Sequence, residues 1–202
     1  GGSSGAIFST AEINGDSEYA KTTAVMKLVI NGFAGAGCVS MGGFDYHTND
    51  RSTGELRDFR AGECMGACLE YAARIGVPLM LHVFSDGSVA SNGMVDTSVD
   101  GRNKCVWTGD NDTTAASFFL VYNPGGRPVL TSAQAGGKRQ IGYFRTDGSV
   151  ETSSSPAANN PNLLTKTVVL NYMALNGNQG NFTNLFGSGL GSLDNLIAFE
   201  SL

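Results

Sequence analysis

The 202-residue chain is short of charge, of histidine and of long apolar runs. Charged residues make up 15% of it, against roughly 25% in globular proteins generally. Its 13 Lys and Arg residues are scattered, which excludes nucleic acid as a partner, because phosphate binding needs clustered basic charge. The longest apolar runs, Pro78 to Phe84 and Phe118 to Tyr122, fall far short of the ~20 residues needed to cross a bilayer as a helix. No membrane span is expected. Only two histidines occur, His47 and His82, so general-base and metal-ligand histidines are scarce. Ser85 and Ser88 have no Gly-x-Ser-x-Gly elbow around them and no neighbouring histidine to serve as base, which leaves them poor nucleophiles.

Small residues take the place of charge. The chain holds 28 glycines and many Ser, Thr and Asn residues, with a net charge of −5. Such a balance is common on exported proteins and on surfaces that pack against copies of themselves, so an extracellular or periplasmic location is expected. Residue 1 is Gly, and the expectation is a processed or excised chain with an upstream portion removed. At 41% hydrophobic residues the length suits one unit with a real core. Cys38, Cys64, Cys68 and Cys105 permit two disulfides and do not require them. Cys64 and Cys68, at helical i, i+4 spacing, read as small buried hydrophobes or disulfide partners rather than zinc ligands, since no second Cys or His pair accompanies them.

The order of elements alternates. Residues 17–33 read as a helix with Ala20, Ala24, Leu28 and Gly32 along one stripe, ended by Gly32, Gly35 and Gly37. Cys38 to Met41 reads as a short strand. A second helix is expected over about 55–75, with Met65, Cys68, Ala72 and Ile75 facing inward and Gly76 closing it. Val77 to Phe84 is nearly all apolar, the pattern of a strand covered on both faces. Strand, helix and strand imply a right-handed crossover in a mainly parallel sheet flanked by helices, an α/β fold. Its loops after Met41 and Phe84 would open on one carboxyl edge, where such sheets bind ligands. Ser117 to Tyr122 reads as a further strand, Asn123 to Gly126 as a turn, and residues 139–145 as a strand. Domain organisation is thus one unit over 1–202: a core at about 17–145, a surface loop at 146–161, and a C-terminal helix and tail at 162–202. The helix itself is expected over Leu163 to Leu175. Phe182, Leu185 and Phe186 are expected to pin the tail.

Chemistry concentrates in the loops. Gly42-Gly43-Phe44-Asp45-Tyr46-His47 offers a carboxylate and an imidazole two residues apart, and Gly109-Asp110-Asn111-Asp112 is a second acidic loop ahead of an apolar strand. Asp86 follows the Val77–Phe84 run. Asp45, His47, Asp86, Asp110 and Asp112 are therefore candidate ligands for a divalent cation, Zn, Mn or Ca. Each has a plainer reading too. Asp45 and His47 can brace a tight Gly-Gly turn. Asp110-Asn111-Asp112 can be a polar turn or an oxygen-rich site for Ca2+, which needs no histidine. His82, inside an apolar strand, reads as a hydrogen-bonded core residue.

Gly42 to His47, the Val83-Phe84-Ser85-Asp86-Gly87-Ser88 stretch, and Thr114-Ala115-Ala116 ahead of Ser117 to Val121 together resemble the carboxyl-terminal half of an exported family near the alkaline phosphatase and sulfatase superfamily. That family carries Gly-Gly-Trp-Asp-Thr-His, Glu-Phe-Gly-Arg and Asp-His-Gly-Thr-Ala motifs. The resemblance covers about residues 24–126 and, loosely, the final helix. It implies an alkaline-phosphatase-like α/β fold, the carboxyl-terminal part of a larger one. It also implies a two-metal site in which paired ions stabilise the attacking and leaving oxygens of an ester, with Asp45 and His47 on one metal. The departures are as informative. Asp110-Asn111-Asp112 holds no histidine, Ser88 stands where the family has Arg, and the family's first acidic ligand and nucleophile come from its amino-terminal half. Two functions follow from the resemblance. One is a hydrolase-like structural or binding subunit of an extracellular assembly, with a degenerate metal site. The other is a metal-dependent phosphatase or sulfatase completed by an upstream segment or another chain, and inactive as this chain alone. Either way the resemblance implies partners: the upstream portion, another chain, or copies in a homo-oligomer.

Overall fold

The computed structural model describes residues 5–44, 51–84, 91–107, 117–134, 141, 146, 151, 153, 156–158 and 160–202. They form a mixed α/β chain that divides into two compact units, Gly1–Leu81 with Val121–Arg127 and His82–Leu120 with Pro128–Leu202.

Three helices build the first unit: α1 (Thr10–Gly15), α2 (Ser17–Ile30) and α3 (Arg51–Ile75). A capping box starts α1. Ser9 Oγ accepts from the Glu12 N–H at 3.2 Å, and a Glu12 carboxylate oxygen accepts from the Ser9 N–H at 2.7 Å, which satisfies two amides that have no partner inside the helix. Asp16 then caps α2 by accepting from the Glu18 N–H at 2.8 Å. The buried stripe of α2 is Glu18, Thr22, Met26 and Ile30, one turn apart throughout. This corrects the expected stripe of Ala20, Ala24, Leu28 and Gly32, since Leu28 is 52% exposed. The two stripes have equal periodicity, and Met26 and Ile30 bring the larger apolar area to the core. Gly32, at φ 79, ends the helix.

Residues 38–41 form no strand. The chain instead lies back along α2, where a Cβ on Gly37 would overlap Val25 and Val29. With that strand absent, the expected strand–helix–strand crossover is absent too. Helix α3 begins four residues earlier than expected and buries Gly54, Cys64, Ala67 and Ala72, with Ile75 43% exposed. Phe8, Met26, Ile30, Cys64, Ala67 and Ala72 make the core of this unit. Gly76, at φ 76, closes α3 as the sequence suggests.

The described strands are β1 (Leu79–Phe84), β2 (Ser91–Asp96), β3 (Lys104–Trp107) and β4 (Ser117–Tyr122). In place of one mainly parallel sheet they make two separate two-stranded pairs, β1 with β4 and β2 with β3, the latter antiparallel. Strand β1 is correspondingly half-buried and not enclosed on both faces, and its Phe84 is 63% exposed. The expected turn at Asn123 is present, closed by a bond from the Gly126 N–H to the Asn123 carbonyl at 3.2 Å. The strand expected at 139–145 lies outside the described residues except for Ile141.

Helix α4 (Pro161–Leu175) organises the second unit. Asn160 caps it, accepting from the Leu163 N–H at 3.1 Å, and Pro161 occupies the first turn, where no N–H is missed. Its buried Leu170 and Ala174 meet Phe182, Leu190, Leu196 and Ile197. Phe182 opens α5 (Phe182–Phe186) and is wholly buried, whereas Leu185 is 67% exposed. The tail is thus pinned by Phe182, Leu190, Leu196 and Ile197, and Leu185 is no anchor. Asn171, 2% exposed within this apolar setting, donates to the carbonyls of Thr167 and Leu196 and accepts from the Ala198 N–H at 2.8 Å.

Candidate functional site

The five candidate ligands, Asp45, His47, Asp86, Asp110 and Asp112, lie outside the described residues, as does the Cys105 side chain. The start of the first loop is described. Gly43 has φ 90, a left-handed conformation that costs any residue with a Cβ. A Cβ there would also sit 2.9 Å from Arg57 Nε. The Gly-Gly pair is therefore split in its demands: the backbone conformation at Gly43 favours glycine, with the movable Arg57 side chain beside it, while Gly42 has open space around it.

Arg57 belongs to a cluster that joins the start of α2 to the second and later turns of α3. Its Nη1 lies 3.5 Å from Glu18 Oε1, and Arg60 Nη1 lies 2.9 Å from Asp16 Oδ2 and 3.7 Å from Glu18 Oε2. The Glu18 side chain is 11% exposed, so removing the arginines would leave a nearly buried charge uncompensated. Both carboxylates also sit at the amino end of α2, where the helix dipole favours negative charge. Tyr19 closes the cluster. Its hydroxyl donates to Glu63 Oε2 at 2.5 Å, its ring stacks on Phe8 with centroids 4.7 Å apart, and the Arg60 guanidinium lies 5.8 Å above it. The bond to Glu63, with burial and the Glu63 charge adding to it, pushes the phenol up to about 12. The cluster holds the helices together and seats Gly43, two residues ahead of Asp45.

Cys38, Cys64 and Cys68 are free thiols. Burial pushes the Cys64 thiol up and the Cys68 thiol up to about 11, so both stay protonated at neutral pH and are weak nucleophiles. His82 is not the hydrogen-bonded core histidine that its strand suggests. Its Nε2 is buried without a partner, and its ring stacks on Phe84 with centroids 5.0 Å apart. Burial lowers its pKa, which favours the neutral ring. Among the described residues, no group of three or more His, Cys, Asp or Glu side chains is placed to hold a metal ion.

A different site emerges in the second unit. A groove of about 450 Å3 is lined by Thr131, Ser132, Ala133, Ala174, Gln179, Asp194, Ile197, Phe199, Glu200 and Ser201. Its wall is the extended C-terminal segment. Leu130 and Phe199 form an antiparallel bridge, Thr131 Oγ1 donates to the Ile197 carbonyl at 2.7 Å, and Asn171 fixes Leu196 and Ala198. Sequence reasoning missed this groove and the Glu18 cluster. Asn171 alone among Leu, Val, Tyr and Met was a readable signal of a buried polar clamp. Asp16 and Glu18 set against Arg57 and Arg60 was a readable signal of facing helices. Comparison with family models, with curated proteins and with solved structures finds no match for the chain.

Proposed function

We propose that the chain is a hydrolase-like protein acting as a structural or binding subunit of an extracellular assembly, on a scaffold related to the alkaline phosphatase and sulfatase superfamily. The exposed apolar face of α3 carries this reading. Leu56 and Phe59, one turn apart, are 70% and 67% exposed. Gly62 and Gly66, with open space where a Cβ would stand, continue the same face and leave room for a second backbone to approach. In the same unit, Phe33 at the end of α2 is 81% exposed. Covering each such side chain is worth about 1.5–3 kcal/mol, and a run of them on one helix face favours a protein partner. A second copy of the chain is the partner to test first.

Sedimentation velocity of the full chain and of Leu56→Ser/Phe59→Ser decides it. The expected result is an oligomer that the variant reduces to monomer while its far-ultraviolet circular dichroism is unchanged. A wild-type chain that stays monomeric at all concentrations sinks the reading.

A second reading, a metal-dependent phosphatase or sulfatase completed by an upstream segment or a partner chain, has one observation in its favour. The backbone at Gly43 takes a left-handed conformation that favours glycine, two residues ahead of Asp45. Elemental analysis of the purified chain beside Asp45→Asn/His47→Ala tests it. About one Zn, Mn or Ca per chain, absent from the variant, supports the second reading, and no metal in either protein removes it.

A further inference from the structure

We propose that Cys64 and Cys68 bind one soft monovalent metal ion, Cu(I), between their sulfurs, with the thioethers of Met26 and Met41 beside it. This goes beyond the assembly reading, does not rest on it, and uses none of the candidate ligands for Zn, Mn or Ca.

The pair is a poor fit to zinc, which takes four ligands. Cu(I) makes a different demand: thiolate and thioether sulfur are the ligands that select it, and a pair of thiolates is enough to hold it. Cys64 and Cys68 stand one turn apart on α3, which puts their Cβ atoms about 5–6 Å apart on one face, a span that one ion between two sulfurs can bridge. Cys64 is 4% exposed, and Cys68 packs against the same core. Burial and, after it, the neighbouring Cys64 push the Cys68 thiol up, so the two sulfurs are within reach of one another. Met26, 5% exposed on α2, belongs to that core, and Met41 packs against it. Two thiols and two thioethers are thus gathered in one place from α2, from α3 and from the segment between them.

A second observation asks for the same ion. Thr22 is 1% exposed, and its Oγ1 is buried without a hydrogen-bond partner, which costs free energy unless something accepts from it. It lies beside the Cys64 sulfur. Burial pushes the Cys64 thiol up, and the Thr22 hydroxyl pulls the other way by favouring the thiolate. A protonated thiol is a weak acceptor, whereas a metal-bound thiolate is a strong one, and a donor held against a ligand sulfur is the kind of outer contact that orients a metal ligand. Thr22 therefore gains its partner when the site is loaded. Because burial keeps both thiols protonated, binding displaces protons: Cys64 and Cys68 each lose one as Cu(I) bonds to the two sulfurs, and nothing is oxidised or reduced. Cys68 is only partly buried, which gives the ion a way in.

The test uses the full chain, reduced and free of oxygen, titrated with Cu(I) as its acetonitrile complex in competition with the chelator bathocuproine disulfonate. The expected result is about one Cu(I) held per chain, a new near-ultraviolet copper–thiolate absorption, and release of about two protons per ion. Cys38→Ser/Cys105→Ser should keep that ion and Cys64→Ala/Cys68→Ala should lose it. Thr22→Val should weaken binding about tenfold while the urea midpoint of the metal-free chain stays near wild type, a split that a merely structural Thr22 would not give. A chain that yields all its Cu(I) to the chelator, loss of the ion in Cys38→Ser/Cys105→Ser, or unchanged affinity in Thr22→Val overturns the proposal. Should the cysteine variants fold poorly, the wild-type chain still decides. Bound Cu(I) must shield Cys68 from iodoacetamide and leave Cys38 open to it, read peptide by peptide in the mass spectrometer, and shielding of Cys38 instead of Cys68 also overturns the proposal.

Discussion

Asn171 accepts a hydrogen bond from the Ala198 amide at 2.8 Å while donating to the Leu196 carbonyl at 2.8 Å, so one buried side chain holds two backbone groups of the C-terminal segment. All of its hydrogen-bonding capacity near the segment is directional. Asn171→Ala would leave an orphan donor at Ala198 and an orphan acceptor at Leu196, at a cost of about 2–4 kcal/mol. Asn171→Asp is the more telling change. Its carboxylate can still accept from Ala198, but an ionised oxygen would face the Thr167 and Leu196 carbonyls, so burial and repulsion raise the folded-state pKa above the unfolded value of about 3.9. The folded state then holds its proton longer. The variant is expected to be near wild type at pH 3.5–4 relative to the wild type at the same pH, and to lose stability progressively as pH rises through the raised folded pKa. Urea melts of the two proteins from pH 3.5 to 8 check this, and a pH-independent difference refutes it.

The Tyr19–Glu63 bond predicts a loss at the alkaline end. The phenol is pushed up to about 12 in the folded protein, against about 10 unfolded, so the folded state binds the proton more tightly. Its contribution is complete below pH 10 and disappears as pH rises from 10 toward 12. Tyr19→Phe should flatten that part of the stability curve. Thermal melts between pH 9 and 11.5 give the comparison, and parallel curves for the two proteins would remove Tyr19 as the titrating group.

How much of this was legible in sequence depends on how local each cause is. Asp16 ahead of α2, Gly32 and Gly76 after α2 and α3, and Asn160-Pro161 ahead of α4 act within one turn of chain, and the helices they delimit lie close to the expected ranges. The faces of those helices were misread, because Ala20, Ala24 and Leu28 repeat as regularly as Thr22, Met26 and Ile30. The larger apolar area of Met26 and Ile30, packed with α3, decides which stripe is buried. Cys38 to Met41 has the composition of a strand but pairs with no strand among the described residues, and at Gly37, just ahead of it, the chain lies against α2. The β2–β3 pair, with positive φ at both Arg102 and Asn103 in its turn, lacked the alternating apolar pattern that announces a strand. Of the site, the five candidate ligands lie outside the described residues, and the groove was not readable, because it is assembled from residues 131–133 and 174–201 with the Asn171 clamp behind its wall.

The free thiols should separate by reactivity. Cys38 is exposed, Cys64 is buried, and burial raises the thiols of Cys64 and Cys68. Iodoacetamide at pH 8 is expected to label Cys38 at least about tenfold faster than Cys64, with Cys64 reacting at the rate of unfolding. Peptide mass spectrometry of timed samples reads each site separately. Equal rates at Cys38 and Cys64 would mean that the α2–α3 core opens readily.

The two glycines of the first loop provide an internal control on the site. Gly43 combines φ 90 with a position 2.9 Å from Arg57 Nε for an added Cβ, while at Gly42 no atom lies within 4 Å of one. Gly43→Ala must therefore hold a strained backbone and also push the Arg57 side chain aside, and a loss of about 1–3 kcal/mol is expected. Gly42→Ala meets neither demand and should stay within about 0.5 kcal/mol of wild type. Gly43→Ala/Arg57→Ala separates the two causes. If the steric clash with Arg57 dominates, the double variant costs less than the sum of the single changes, because the clash is removed with the guanidinium. Additive losses in urea melts would mean that the backbone conformation alone demands glycine, and that Arg57 takes no part in seating the turn ahead of Asp45 and His47.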